Sequence, residues 1–249
     1  FTIRRSYDMK KRIVSLFALA ITGVVCLTLY SLGDIHLVME IMGIEQYEET
    51  IHAKEDIKTT IVLDSGHGGY DTGCIANDGT YEKDITLAIA LKTGALLSSY
   101  GYHVVYTRTS DEVSWSNNNK DDLATRVAIA QETDADYYIS IHMNASENND
   151  GANGFEIYVK GNNERILQIA SRLESSLTSV AYTNDRGIKT TASSPLYVID
   201  NNTVPAMLIE YGFLTDQNDA AYVCSEDGQQ KLAQQLAISI QKNVPLSKS

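Results

Sequence analysis

Cysteine is scarce in this sequence: three occur among 249 residues, and their spacing is not typical of a metal site. Cys26 lies within a long apolar run, whereas Cys74 and Cys224 are 150 residues apart. In an exported domain these last two could pair as a disulfide, or they could be two unpaired small residues, and sequence separation does not decide between them. Any metal centre in this chain must therefore use other ligands.

Positive charge is also in short supply, because 20 lysines and arginines face 32 aspartates and glutamates and leave a net charge of −12. Nucleic acid is thereby excluded as a partner, since neutralising phosphates requires clustered lysine and arginine. The charge is uneven: residues 1–12 contain five basic residues and one acidic residue, so the remainder carries −16. Proline is rare as well, and no proline-rich tract or repeat divides the chain beyond residue 60.

One long apolar run is present, the 21 residues 13–33, which no charge interrupts. A helix of about 20 apolar residues spans a bilayer core. We favour an uncleaved anchor over a secretory signal peptide, because the apolar core of a signal is about 7–15 residues long and ends at a small-residue cleavage site. The positive-inside rule then places residues 1–12 in the cytoplasm and the acidic remainder outside. Residues 34–59 are expected to form a stalk, and residues 60–249 the catalytic domain.

The sequence beyond the stalk alternates between β-branched apolar segments and segments of helical periodicity. This alternation predicts an α/β fold of three layers, in which helices flank a mostly parallel central sheet. The predicted strands are 59–64, 103–108, 136–142, 154–160, 195–199 and 205–210, and the predicted helices are 82–101, 122–133, 164–180 and 228–243.

Four residues suited to chemistry lie at comparable places on this map. His67 follows the first strand within "DSGHGG", where glycines permit a sharp turn. His142 and Glu210 end two further strands, and Glu82 begins the first helix. Because sites of parallel α/β sheets gather at the carboxyl ends of the strands, we expect these four side chains to lie at one edge of the sheet.

Imidazole and carboxylate groups are good zinc ligands, and a hydrolytic zinc site uses three protein ligands and one open position. His67, Glu82 and His142 supply such a set. Glu210 would then take a proton from a water molecule activated by zinc and pass it to a departing amine.

Four motifs of the chain resemble, in order and context, the zinc-dependent N-acetylmuramoyl-L-alanine amidases of the Amidase_3 type. They are "IVLDSGHGGYDTG", "YEKDITLAIA", "SIHMNAS" and "PAMLIEYGFLTDQNDA". The resemblance covers about residues 60–243. It implies a zinc enzyme that cuts the amide bond between N-acetylmuramic acid and L-alanine in peptidoglycan, with ligands at His67, Glu82 and His142 and the catalytic glutamate at Glu210.

Further side chains have two interpretations each. Arg108 and Arg126 could bind a carboxylate of the peptide stem or fix a loop through ion pairs, and we prefer the second role for Arg126. The segment "DRGIK" resembles a family loop near the substrate groove, which makes Arg186 a predicted substrate contact. Asp64 either orients the ring of His67 through a hydrogen bond or holds the loop in place.

Two other functions remain to be distinguished from the amidase. A non-catalytic peptidoglycan-binding domain is disfavoured because the ligand set and the glutamate are intact, and another zinc amide hydrolase of the cell wall is disfavoured only by the resemblance. The sequence has no separate wall-binding module, so targeting must come from the anchor, the domain surface or a partner such as an activator protein. This layout is similar to that of spore-cortex members of the family.

Overall fold

The strands and helices of the described residues follow the predicted alternation in most places. The computed structural model describes residues 58–147, 151–161 and 163–247. Its strands are β1 (Thr60–Ser65), β2 (His103–Tyr106), β3 (Tyr137–Asn144), β4 (Phe155–Val159), β5 (Asp185–Thr190) and β6 (Ala206–Phe213). Its helices are α1 (Glu82–Ser99), α2 (Asn119–Glu132), α3 (Glu164–Val180), α4 (Tyr197–Asp200), α5 (Gln217–Val223) and α6 (Glu226–Asn243).

The predicted membrane segment, residues 13–33, and all but the last two residues of the predicted stalk lie outside the described residues. Within the part of the chain that the structure describes, no helix has the length and apolar character needed to cross a bilayer.

The six strands form one sheet in the order β2-β1-β3-β6-β4-β5. β1 pairs in parallel with β2 and β3, and β3 pairs in parallel with β6. β4 is antiparallel to β6, and β5 runs parallel to β4. The sheet is therefore mostly parallel, as predicted, but its last two strands are reversed. This reversal brings the beginnings of β4 and β5 to the edge where β1, β3 and β6 end.

Two apolar clusters form the core, one on each face of the sheet, because strand side chains alternate between faces. On the first face, Ile61, Ile139 and Ile209 pack under α1, α3 and α6. On the second face, Val62 and Leu208 pack under α2 and α4. The domain thus has three layers. Strand residues that alternate in phase with Val62 and Leu208 point toward α2 and α4.

Two predictions of local structure are wrong. Residues 195–199 do not form a strand: residues 197–199 belong to the short helix α4, because the Asp200 carboxylate accepts hydrogen bonds from the Leu196 amide and the Thr191 hydroxyl and closes a helical turn. A short apolar run is compatible with either state. Residues 185–189 belong to β5 rather than to a loop. Cys74 and Cys224 are both free thiols, so the unpaired alternative is correct.

Candidate metal centre

The turn that carries His67 follows directly on β1. His67 itself has a φ of 60°, and Gly68 and Gly69 continue the turn with φ values of 125° and 58°. A left-handed conformation is uncommon for a residue with a side chain and clusters at functional sites. The preceding Gly66 is needed for space, because a Cβ atom there would lie 2.4 Å from Cε1 of His142. The turn therefore brings two histidine rings together, with centroids 4.8 Å apart.

Asp71 sets the orientation of the His67 ring. Its Oδ2 lies 2.8 Å from Nδ1 of His67, and its Oδ1 accepts a hydrogen bond from the Gly73 amide. The other ring nitrogen, Nε2, then lies 3.1 Å from Oε1 of Glu82. Burial opposes a charge on His67, but the hydrogen bonds with Asp71 and Glu82 prevail and raise its pKa to about 10.

Of the two roles proposed for Asp64, its contacts match the one that holds the loop in place, because Nδ1 of His67 is bonded to Asp71. Asp64 is fully buried and accepts hydrogen bonds from the Ser140 and Thr107 hydroxyls and from Arg126. Arg126 in turn donates to the backbone carbonyls of Ser65 and His67. Burial raises the pKa of Asp64, but Arg126 and Ser140 outweigh it and lower that pKa to about 2. Asp64 thus holds the turn in place through Arg126, which is the second of the two predicted roles.

Glu82 is buried at the start of α1, and two backbone amides fix its carboxylate. Met143 donates to Oε1 and Cys74 donates to Oε2, at 2.8 and 2.9 Å. Nδ1 of His142 lies 3.1 Å from the same Oε1. Burial works against the ionised form, but His142 and His67 overcome it and lower the pKa of Glu82 far below the usual range.

The three side chains fit a single divalent ion. One ligand atom from each of His67, Glu82 and His142 lies within 4.8 Å of the others, and both histidine nitrogens are 3.1 Å from Glu82 Oε1. Ligands at about 2.1 Å around a tetrahedral ion lie about 3.4 Å apart, close to the two separations of 3.1 Å. Gly73 leaves room for the cluster, because a Cβ atom there would lie 2.6 Å from Oε2 of Glu82.

Glu210 lies beside this cluster on β6. It pairs with His142 of β3 on one side and with Glu156 of β4 on the other. Its Oε2 atom is buried and has no hydrogen-bond partner among the described residues. Burial, followed by the charges of Glu82 and Glu156, raises the pKa of Glu210 well above its usual value. A buried carboxylate oxygen without a partner, next to a metal-ligand set, is available to exchange a proton.

Arg108 and Arg126 both hold loops of the site. Arg108 is buried and donates to the carbonyls of Ser65, Gly66 and Lys83. These contacts are those of the loop-fixing alternative, and the substrate-binding alternative for Arg108 gains no support from them. Arg126 fills the predicted structural role, with its guanidinium paired to Asp64 and Asp122 and covered by the Trp115 ring at 4.5 Å.

Arg186 belongs to a cluster of charges centred on Glu156. Glu156 is buried, and its Oε2 accepts hydrogen bonds from Arg186 at 2.8 Å and from Lys189. Its Oε1 accepts from Asn144 and from the hydroxyl of Tyr158. Glu156 was not predicted as a site residue, because a polar residue inside a strand carries no distinctive pattern. Lys189 is the last residue of the "DRGIK" segment, in which only Arg186 was singled out. Asp71 was missed for a similar reason, although its position four residues after His67 in a tight turn is a usable signal.

The fold and the site define this protein as a three-layer α/β domain with a candidate metal centre at the edge where β1, β3 and β6 end. Its sequence matches the model of the Amidase_3 family, N-acetylmuramoyl-L-alanine amidase, over residues 61–242, and the chain belongs to that family. Peptidoglycan is the substrate of this family, and the bond hydrolysed is the amide between N-acetylmuramic acid and L-alanine.

Relatives and solved structures agree with this assignment. The chain is 37% identical over 176 residues to the protein YqiI of Bacillus subtilis, and the aligned region covers 70% of this chain and 79% of the relative. It is 32% identical over 194 residues to the germination-specific N-acetylmuramoyl-L-alanine amidase of the same organism, with 74% and 77% covered. The CwlD amidase of Clostridioides difficile, solved in complex with the GerS lipoprotein, superposes with a TM-score of 0.66 at 31% identity, over 75% of this chain and 98% of that one.

Proposed function

We propose that this amidase uses a zinc ion held by His67, Glu82 and His142. The observation that carries the proposal is the convergence of two imidazole nitrogens on one carboxylate oxygen, each at 3.1 Å. Two imidazole nitrogens and one carboxylate form a ligand set found in hydrolytic zinc sites. When bound, a zinc ion would act as a Lewis acid: it would polarise the scissile carbonyl and lower the pKa of water, so that a deprotonated nucleophile is available near neutral pH.

Glu210 moves the proton in this proposal. Its carboxylate stands next to His142 across the β3–β6 pairing, and its buried Oε2 has no hydrogen-bond partner among the residues that the structure describes. It accepts the proton of the attacking water and delivers it to the amino group of L-alanine as the amide bond breaks. Asp71 keeps the His67 ring oriented, while the buried pair of Asp64 and Arg126 holds the turn on which that ring stands.

The test combines metal analysis with product analysis. The purified protein is expected to contain about one zinc ion per chain, to lose peptide release from isolated peptidoglycan when treated with a chelator, and to regain it with added zinc. His67→Ala and Glu210→Gln should both lose the activity, but only His67→Ala should also lose zinc. His103→Ala, which changes an exposed histidine of β2, is the matched control and should behave as wild type. Full activity of either site variant would overturn the proposal.

Two alternatives give different products. A non-catalytic peptidoglycan-binding domain would release nothing and bind no zinc. A zinc hydrolase acting on another wall amide would release acetate or single amino acids, whereas the amidase leaves free lactyl ends on the sugar and L-alanine at the start of the released stems. Mass spectrometry of the digested wall separates these outcomes.

The proposal extends to location and role. The uninterrupted apolar residues 13–33, preceded by the basic residues 1–12, support a membrane anchor with the catalytic domain outside the cytoplasm. The relatives include a germination-specific amidase and an amidase complexed with a lipoprotein, which supports a role in spore peptidoglycan and regulation by an activator protein. Protease treatment of intact protoplasts should degrade the catalytic domain, and its protection would contradict this orientation.

A further inference from the structure

The second face of the sheet carries a cavity beside the candidate metal centre. The cavity, of about 370 Å³, lies between the sheet and the helices α2 and α4. Its wall toward the centre is formed by His67 and His142, and its interior is mainly apolar. The apolar side chains are those of Leu123, Pro195, Leu196, Val198 and Leu208. The charged side chains of the lining are paired: Arg126 with Asp64 and Asp122, and Asp71 with His67. A mainly apolar pocket with a few polar groups is typical of small-molecule sites.

Two exposed tyrosines stand at the rim of this cavity. Tyr197, the first residue of α4, lines it and is 41% exposed. Tyr70 is also 41% exposed and immediately precedes Asp71, which lines the cavity. An aromatic ring offers a flat apolar surface together with a polar tip, a combination that packs against the faces of a sugar ring. Asn119 adds a side-chain amide for hydroxyl and acetamido groups.

The opposite side of the centre is basic. Arg186 and Lys189 share one carboxylate oxygen of Glu156, so the three residues carry one excess positive charge. The Arg186 and Lys189 side chains remain 37% and 35% exposed, whereas Glu156 is buried beneath them. Exposed cations that are already held in place bind carboxylates well, because little side-chain freedom is lost on binding.

The order of the strands sets the distance between the two sides. His142 of the candidate centre lies on β3, and β5 is three strands away in the order β3-β6-β4-β5. Strands are spaced by about 4.8 Å, so β5 lies about 14 Å from β3, which an extended peptide covers in about four to five residues. A peptide that begins at the candidate metal centre therefore reaches Arg186 and Lys189 with about its fourth or fifth residue.

Peptidoglycan has the matching asymmetry. Its glycan strand is neutral once the lactyl group is in amide linkage, and its sugars carry hydroxyl and acetamido groups, whereas its peptide stem carries free carboxylates. We propose that the cavity under α2 and α4 binds the N-acetylated sugar of the scissile linkage, and that Arg186 and Lys189 bind a carboxylate of the peptide stem. The substrate thus lies across the sheet, with its sugar on the β1 side and its peptide stem on the β5 side. This orientation rests on the proposed function in one respect, which is that the scissile amide lies at the candidate metal centre.

The two reaction products test the orientation separately, because neither is turned over. The ligands are peptide-free glycan chains with lactyl ends and the free stem peptide, and binding of each is measured by calorimetry on the full chain in detergent. Tyr197→Ala should weaken glycan binding by about tenfold and leave stem binding within about twofold. Lys189→Ala should weaken stem binding by about fivefold at low salt, with little effect on the glycan.

Several controls keep the result interpretable. Tyr197→Phe retains the aromatic face and Lys189→Arg retains the charge, so both should bind as wild type does. Lys231→Ala removes an exposed lysine on α6 and should change neither affinity. Asn119→Ala, at the first residue of α2, replaces Tyr197→Ala if that variant does not fold. The orientation would be overturned if Tyr197→Ala weakened stem binding and Lys189→Ala weakened glycan binding. It would also be overturned if each variant affected both ligands equally, or if neither ligand bound measurably.

The outcome is independent of the zinc experiment. Suppose that chelation leaves hydrolysis intact, but Tyr197→Ala weakens only glycan binding and Lys189→Ala weakens only stem binding. The proposed mechanism then fails and the orientation stands. If chelation abolishes hydrolysis but the two variants do not differ in which ligand they affect, the mechanism stands and the orientation fails.

Discussion

Asp71 accepts a hydrogen bond from Nδ1 of His67 at 2.8 Å, and this contact leaves Nε2 directed at Glu82. The two residues are four positions apart in the turn after β1, where His67 has a positive φ. A carboxylate that accepts from the second nitrogen of a ligating histidine fixes the ring and makes it a better ligand. Asp71 is therefore part of the candidate centre, although it contributes no ligand atom to the His67, Glu82 and His142 cluster.

Asp71→Asn should weaken zinc binding by about 10- to 100-fold, the usual effect of losing such a partner. The measurement is competition with a chelator of known zinc affinity, followed through the free metal concentration. Asp227→Asn, which changes an exposed aspartate on α6, is the matched control and should bind zinc as wild type does. An Asp71→Asn protein with unchanged zinc affinity would show that the contact is incidental.

Asp64 and Arg126 should matter for stability instead. Both are buried, and the Arg126 guanidinium joins Asp64 and Asp122 to the carbonyls of the turn. Removing one partner of a buried pair leaves the other charge without compensation and costs about 3–5 kcal/mol. Asp64→Asn should accordingly lower the free energy of unfolding by about 3 kcal/mol in a urea titration. A loss below about 0.5 kcal/mol, the range of surface substitutions, would contradict this role.

The same carboxylate predicts a pH dependence. The pKa of Asp64 is about 2 in the folded protein, below its ordinary value of 3.8. A lowered pKa means that its stabilising contribution is complete above about pH 4 and is lost as the pH falls toward 2. The stability difference between wild type and Asp64→Asn should therefore shrink by about 2 kcal/mol over that interval. Urea titrations of both proteins at pH 7, 4 and 2.5 measure it, and a constant difference would be evidence against an ionised Asp64.

The sequence predicts the ends of the parallel strands well, and that is why His67, His142 and Glu210 could be placed at one edge with Glu82. Strand positions follow from apolar periodicity, which is local. Strand direction does not, because the alternation of side chains is the same in parallel and antiparallel pairs. The reversal of β4 and β5 was therefore missed, and with it the arrival of Glu156 beside Glu210. The backbone of the turn after β1 was equally out of reach, so Asp71 was not predicted as the partner of His67.

Gly73 and Gly79 both have a positive φ, but only Gly73 lies close to the candidate ligands. Alanine substitutions at the two positions therefore distinguish the effect of backbone strain from the effect of a steric clash. Gly73 has a φ of 63°, and a Cβ atom there would lie 2.6 Å from Glu82 Oε2 and 2.7 Å from Cδ2 of His67. Gly79 has a φ of 91°, and a Cβ atom there would meet nothing within 4 Å. An alanine at either position is strained by about 1–2 kcal/mol, which should appear as a similar loss of stability in both variants.

Only Gly73→Ala should displace the candidate ligands. Because a shift of about 1 Å at a catalytic centre can reduce a rate by about 100-fold, Gly73→Ala should lose peptidoglycan hydrolysis by that order, whereas Gly79→Ala should keep it. Hydrolysis is measured as release of stem peptides at saturating zinc, and unfolding in urea supplies the stability comparison. Equal activity of the two variants would mean that the space at Gly73 is not required, and that the glycine serves the backbone of the loop alone.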